Sequence, residues 1–309
     1  MKPKTTRATE PNAGIRRKFS KKLAFLNRAF MSMVADDIFL HLANKGAIAK
    51  DWSLSKPKTE KDKERLREIG AAVLQAYKRD PEAFKGDIDA YVSANIVKWT
   101  GDVTRAAEKL ARWVARSIAI DATDSQRRAY LAAGVSADFL LKAWADPQAT
   151  PRVWSISPRI GPTAVKRLPE IVQWSTELIT KMEVRNLTRL QDVIVAGLVD
   201  GHSVETIRKT LSTFKGFDAD RASNVALDQT NKITNAILEA NDSDLGVTEG
   251  IWIHVPGQYT SRQSHRHMDG KKFNLEKGMF DPEVNKYIKP SELYFCRCIY
   301  RPILPFEKF

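Results

Sequence analysis

Apolar residues recur at three- and four-residue spacing through most of the first 240 positions, which predicts a chain built largely of amphipathic helices. Leu23, Leu26, Phe30, Met33/Val34, Ile38 and Leu42 mark the first helix, with Gly46 as its stop. Residues 53–63, Lys-rich and containing Pro57, read as a linker or exposed turn. Ile69, Val73, Leu74 and Tyr77 predict a short helix ending before Pro81. Residues 87–120 carry Val103, Ala107, Leu110, Val114 and Ile118 on one face. Asp121-Ala-Thr-Asp124 predicts a break there, and residues 126–144 a further helix with Gly134 near its middle.

Pro147, Pro151, Pro158, Gly161, Pro162 and Pro169 then crowd together, and a long helix is not expected through them. The division between two parts of the chain is placed there, between Asp146 and Pro169. Beyond it residues 171–199 read as a long helix ending at Asp200-Gly201. Ser203 caps a short helix carrying Thr206 and Ile207, a turn falls at Lys215-Gly216, and residues 218–241 form another helix. The pattern changes after Gly246. Residues 250–255 and 293–300 are aromatic and β-branched, with the bounds of strands. The expected class is α+β: a mostly helical N-terminal region followed by a helix-rich module with a small C-terminal β-sheet. The expected divisions are a basic, partly disordered arm over 1–28, a helical domain over 29–150 and an α+β module over 165–309, with no internal repeat.

At 43% hydrophobic residues the 309-residue chain is long enough for a substantial core, and no apolar run approaches the length of a membrane span. The basic opening leads into no secretory signal, and two cysteines make no disulfide framework, so a reducing cytoplasm is expected. The seven tryptophans sit at core-compatible places and are expected to pack rather than to stack on bases. Charge changes the picture more. Residues 1–28 hold nine of the Lys and Arg residues, including Arg16, Arg17, Lys18, Lys21 and Lys22, against Glu10 alone. They supply +8 of the net +13. Such a segment can bind double-stranded DNA through counterion release, contact an acidic protein surface, or serve only as a solvated tail.

The chemistry-bearing residues gather near the other end. Both cysteines (Cys296, Cys298) and three of the five histidines fall in the last sixty residues: His265 and His267, with His254 as a spare ligand. On extended backbone each pair would present its side chains to one side, and two such pairs make the tetrahedral donor set that zinc prefers. A structural zinc at His265, His267, Cys296 and Cys298 is therefore one reading. A second is a hydrogen-bonded network of buried thiols with Arg and His, tying the 260s loop to the last strand. A third is a thiol–imidazole pair oriented by Asp269, or a metal-dependent nuclease using His265, His267 and Asp269. A Cys296–Cys298 disulfide is disfavoured, since alternate strand residues lie ~6–7 Å apart at Cα. No phosphate-binding glycine loop or nucleophile turn accompanies these residues.

The order Arg262-x-x-His265, Asp269-Gly270, Cys296-Arg297-Cys298, preceded by Trp252 and the helix over 221–240, resembles the C-terminal signature of the phage Mu-type head morphogenesis (minor head protein) family. The resemblance spans roughly residues 165–309. It departs from the family pattern in lacking an acid before Arg262 (Gln258-Tyr259-Thr260-Ser261) and in having Lys289-Pro290-Ser291-Glu292 before the cysteines. It implies a bacteriophage minor capsid protein of the virion head, associated with portal and capsid proteins and with DNA packaging or delivery. Assembly would occur in the host cytoplasm and the final place would be the head interior. A structural role without turnover is expected, with Arg262, His265, Asp269, Gly270, Cys296, Arg297 and Cys298 holding the module. The chain ends eleven residues past Cys298, leaving no expected room for a fused toxin or transferase domain of the kind some members carry. The alternative is a basic DNA-binding protein with metal-dependent nuclease activity.

Overall fold

The computed structural model describes residues 5–45, 64, 68, 71, 75, 78–144, 160–200, 202, 204–213, 219–256 and 262–305. The expectations on residues 46–63, on the proline cluster before Ile160, on Ser203 and on Lys215-Gly216 lie outside them, as does most of the expected helix over 69–77. Helices α1 (Ala13–Lys45), α2 (Pro81–Ala132), α3 (Ala137–Trp144), α4 (Pro162–Val199), α5 (Val204–Thr213) and α6 (Ala219–Asp244) precede the sheet region. Then come β1 (Glu249–Ile253), α7 (Gln263–Met268), β2 (Lys272–Asn274), β3 (Met279–Asp281), β4 (Lys286–Ile288) and β5 (Ile299–Pro302). The class is α+β and mostly helical, with a small C-terminal sheet.

Three helical expectations change. The Asp121–Asp124 stretch breaks nothing, because its polar side chains have tertiary partners: Asn12 Nδ2 donates to Asp121 Oδ1 at 2.8 Å, and Asn241 Nδ2 donates to Thr123 Oγ1 at 2.9 Å. With those oxygens engaged, they do not compete for the local backbone. The stop comes at Gly134 (φ +87°) instead of continuing to Trp144. The Gly134 and Val135 amides reach back to the Leu131 and Tyr130 carbonyls, a Schellman ending that needs a left-handed residue. The third change is α4, which starts at Pro162 rather than Ile171 and runs through Pro169. Proline suits the first helical position, and Asp244 caps this end by accepting from the Thr163 amide at 3.1 Å and from its hydroxyl.

The described chain divides into two compact units of interleaved segments. One contains residues 22–109 and 176–222. Its core joins Phe30, Val34, Ile38, Phe39, Ile88, Trp99, Leu190 and Ile194. Trp99 Nε1 donates to Asp37 Oδ2 at 2.9 Å, and His41 stacks on Tyr91 with ring centroids 3.9 Å apart. Glu183 and Asn186 are fully buried in the same unit.

The other unit contains residues 1–21, 110–175 and 223–309. Helix α6 is its axis. At one end Asp242 accepts hydrogen bonds from Gln126, Tyr130 and Tyr300. The sheet order is β2-β1-β5, all antiparallel, with β3 and β4 as a separate hairpin. Trp252 on the central strand is fully buried and meets Phe273 edge-on at 5.6 Å. In the opening segment Thr5 bridges Ile303, and Asn12 Oδ1 caps α1 by accepting from Gly14 and Ile15. Residues 13–28 of the expected arm are helical.

Candidate functional site

Three short pieces of the second unit bring the chemistry-bearing side chains together. The first is residue 254, immediately after β1. The Asp269 carboxylate accepts its backbone amide at 2.8 Å. Gly270 then returns the chain to β1 with φ +73°, a left-handed turn that favours glycine, and its amide donates to the Trp252 carbonyl.

The second piece is α7. Glu283 Oε1 accepts from the Ser264 amide at 2.8 Å, satisfying one of the donors that a helix start leaves open. Ser264, His265 and Met268 face inward, while Arg266 and His267 are exposed. The expected pairing of His265 with His267 on extended backbone therefore does not occur. At 3.6 residues per turn, residues two apart point to nearly opposite sides of a helix.

The third piece is the loop carrying Cys296 and Cys298, expected as strand but irregular until Ile299. Polar groups one or two turns apart on α6 hold it. Asp228 Oδ1 accepts from the Phe295 amide at 2.8 Å, and Asn231 Nδ2 donates to the Cys296 carbonyl at 3.4 Å. Asn235 Nδ2 donates to Ser291 Oγ at 2.9 Å, and that hydroxyl donates to the Cys298 carbonyl at 2.8 Å. Ser291 and Phe295 both adopt positive φ (65° and 57°), strain that these bonds offset. The flanking arginines add ties. Arg262 donates to the Tyr294 carbonyl at 3.3–3.4 Å, and Arg297 to the Pro256 carbonyl at 3.3 Å.

At the centre, His265 Nδ1 lies 3.4 Å from Cys296 Sγ and 3.6 Å from Cys298 Sγ. His254 Nδ1 lies 3.5 Å from Cys298 Sγ. The other face of the His265 ring points its Nε2 at Asp281 Oδ2, 3.3 Å away. Cys296, Cys298, His265 and Asp281 are 4%, 1%, 3% and 0% exposed. Asp269, expected to orient the imidazole, accepts the His254 amide instead, and Asp281 is the carboxylate that faces the His265 ring.

Electrostatics follow from this crowding. A Cys298 thiol donating to Cys296 holds the Cys296 thiol down at about 5, with His265 acting in the same direction against burial. Cys298, the donor, is pushed up by that bond and by burial. Burial pulls His265 down, but the Cys296 contact and the Asp281 carboxylate outweigh it and leave the imidazole raised. Burial lowers His254, with the neighbouring Asp269 opposing. Two chemistries use such groups: a thiolate–imidazole nucleophile, or soft metal ligation. The first requires a substrate to reach Cys296 Sγ, and Cys296 is 4% exposed.

Sequence reasoning missed Asp281, the Asp228–Asn231–Asn235 row and Ser291, and treated His254 as a spare. The row was detectable in principle, since polar residues spaced three and four apart along one helix face announce polar partners for that face. At the other end of the chain, Arg17, Lys18, Lys21 and Lys22 are exposed on α1, while Phe19 and Leu23 are fully buried.

Residues 188–301 match the family described as Phage Mu protein F like protein. An uncharacterized protein of Haemophilus influenzae is 21% identical over 146 residues, covering 47% of this chain and 31% of that protein. The matched segment thus spans under a third of that relative's length. No solved structure matches the chain. The family match takes in Trp252, Arg262, His265, Asp269-Gly270 and Cys296-Arg297-Cys298, so the resemblance carried by their order is met in the C-terminal half of the chain by the Phage Mu protein F like family.

Proposed function

We propose that this protein is a phage minor head protein that acts in head morphogenesis, a structural component associated with the portal. The observation that carries the reading is the family match over residues 188–301. It coincides with a module whose motif residues hold backbone to backbone: Arg262 and Arg297 donate to main-chain carbonyls, and Asp269 accepts a main-chain amide. Side chains used in this way build a rigid docking module. They are not arranged around a substrate.

The exposed cations of α1 give the role its second surface, against packaged DNA or an acidic portal face. Among the described residues no helix is long and apolar enough to cross a membrane. Assembly in the host cytoplasm and a final place in the head interior belong to the same proposal.

The test is sedimentation of a tagged copy with proheads and heads from an induced lysate, with peptide quantification of each fraction. A few copies per particle are expected. Absence from every particle fraction would overturn the assignment and favour a basic DNA-binding protein, whose DNA affinity would then survive outside any assembly.

A further inference from the structure

Three ligating atoms, of His265, Cys296 and Cys298, converge beside a fully buried carboxylate, and His254 Nδ1 lies 3.5 Å from one of them, Cys298 Sγ. We propose that they form a structural zinc site, ligated by His254 Nδ1, His265 Nδ1, Cys296 Sγ and Cys298 Sγ, with Asp281 fixing the His265 ring. This is a different set from the one the sequence suggests, because His254 replaces the exposed His267.

The distances carry the inference. Zinc–sulfur and zinc–nitrogen bonds of ~2.3 and ~2.0–2.1 Å at tetrahedral angles place neighbouring sulfur and nitrogen ligands ~3.6 Å apart. Three of the four sulfur–nitrogen separations in this set are 3.4, 3.6 and 3.5 Å. The ligand atoms of His265, Cys296 and Cys298 all lie within 4.8 Å of one another, and His254 joins through Cys298.

His265 Nδ1 faces two sulfurs, which cannot both engage its one in-plane site well. A metal at the common point satisfies the nitrogen and both sulfurs together. The far side of His265 completes the case. Its Nε2 faces Asp281 Oδ2 at 3.3 Å, so a buried carboxylate lies on the side of the ring away from the sulfurs, where it would favour a proton on Nε2 and leave Nδ1 for a metal. Asp281 Oδ1 is already committed to the Glu283 amide at 2.9 Å.

Two thiolates with two imidazoles suit zinc over magnesium or calcium, and burial of both cysteines and His265 marks a closed site rather than a catalytic one with an open position. The ion would also meet a structural need. Strands of three to five residues give little cohesion, whereas one ion would join the end of β1, α7 and the 290s loop.

The test is metal analysis of the 309-residue protein purified without chelator, followed by cobalt substitution. One zinc per chain is expected. The cobalt form should show the thiolate-to-metal band and the strong visible bands of a tetrahedral sulfur–nitrogen site. Chelator should lower the melting temperature, and zinc should restore it. Asp281→Asn should weaken zinc binding by ~10–100-fold while keeping the cobalt spectrum tetrahedral. His267→Ala should change neither stoichiometry nor spectrum. Wild-type protein that takes up no zinc or cobalt, with melting unmoved by chelator, would overturn the site without relying on any variant folding. A His254→Ala protein with wild-type cobalt spectrum and affinity would remove His254 from the ligand set. Neither outcome touches the head-assembly reading, which sedimentation decides separately.

Discussion

Gly161 shows how closely two segments meet around the end of α6. A methyl group placed on it would lie 2.4 Å from Asp244 Oδ2 and 2.8 Å from Asn241 Oδ1, the atoms that accept the Thr163 and Gly161 amides. Gly161→Ala should therefore displace the α4 cap and cost ~1–3 kcal/mol by overpacking, measured by denaturant unfolding. An unchanged midpoint would mean that both acceptors can give way.

Glu183 makes a residue-scale prediction about pH. Burial pushes its carboxyl up to about 8, with Asn186 and Arg221 opposing, so the folded protein holds a proton that the unfolded chain releases near pH 4.5. The folded state thus binds more protons, and stability must fall as pH rises from about 4.5 to about 8. Asp242, raised to about 7 by burial against the pull of its Tyr and Gln donors, adds to the decline at lower pH. The limiting slope is ~1.4 kcal/mol per pH unit for each group. Glu183→Gln keeps the shape of the protonated side chain and should flatten the upper part of the decline in a series of melts. A decline of wild-type steepness in the variant would place the proton elsewhere.

At the scale of elements, α6 organises the cysteine loop through one row of side chains. Asn235 links that row to Ser291, which in turn holds the Cys298 carbonyl. Asn235→Ala leaves the Ser291 hydroxyl without its donor in a buried setting, at a cost of ~1–3 kcal/mol. Amide exchange should accelerate over residues 291–298, with the β1–β5 ladder keeping its protection. Uniform acceleration throughout the unit would indicate loss of global stability and no special role for the row. The α2 ending follows a similar logic, since its left-handed residue closes two hydrogen bonds that no break at Asp121–Asp124 would have supplied.

On the whole-molecule scale, the basic segment should act through charge number and not through base contacts. Lys18, Arg17 and Lys21 are exposed on one helix. Replacing all three by glutamine should reduce the slope of log affinity against log salt for duplex DNA by up to ~3, with little preference among sequences. If the protein instead uses these residues against an acidic portal, DNA binding will be weak in wild type, and the same variant will fail to enter heads. A variant that binds DNA and enters heads at wild-type level would remove the segment from both roles.

Much of this molecule was legible from residue order alone. Helical periodicity located α1, α6 and most of α2 and α4, since alternation of apolar and polar side chains at 3.6 residues per turn is imposed locally by the backbone. The strand at Trp252, the α+β class and the family resemblance were equally readable, because β-branched runs and an ordered motif survive without knowledge of contacts. Helix ends were less so. Whether Asp121–Asp124 breaks a helix depends on Asn12 and Asn241, which are distant in sequence, and whether Pro162 begins one depends on Asp244. The site divides the same way. Residue type picked out His265, Cys296 and Cys298 as a set with metal-binding chemistry. Only folding placed His265 on a short helix with His267 turned outward, brought in His254, and set Asp281 behind the ring. Spacing in sequence determines which side chains share a face once the local backbone is known, but tertiary packing decides whether that backbone is strand, helix or loop.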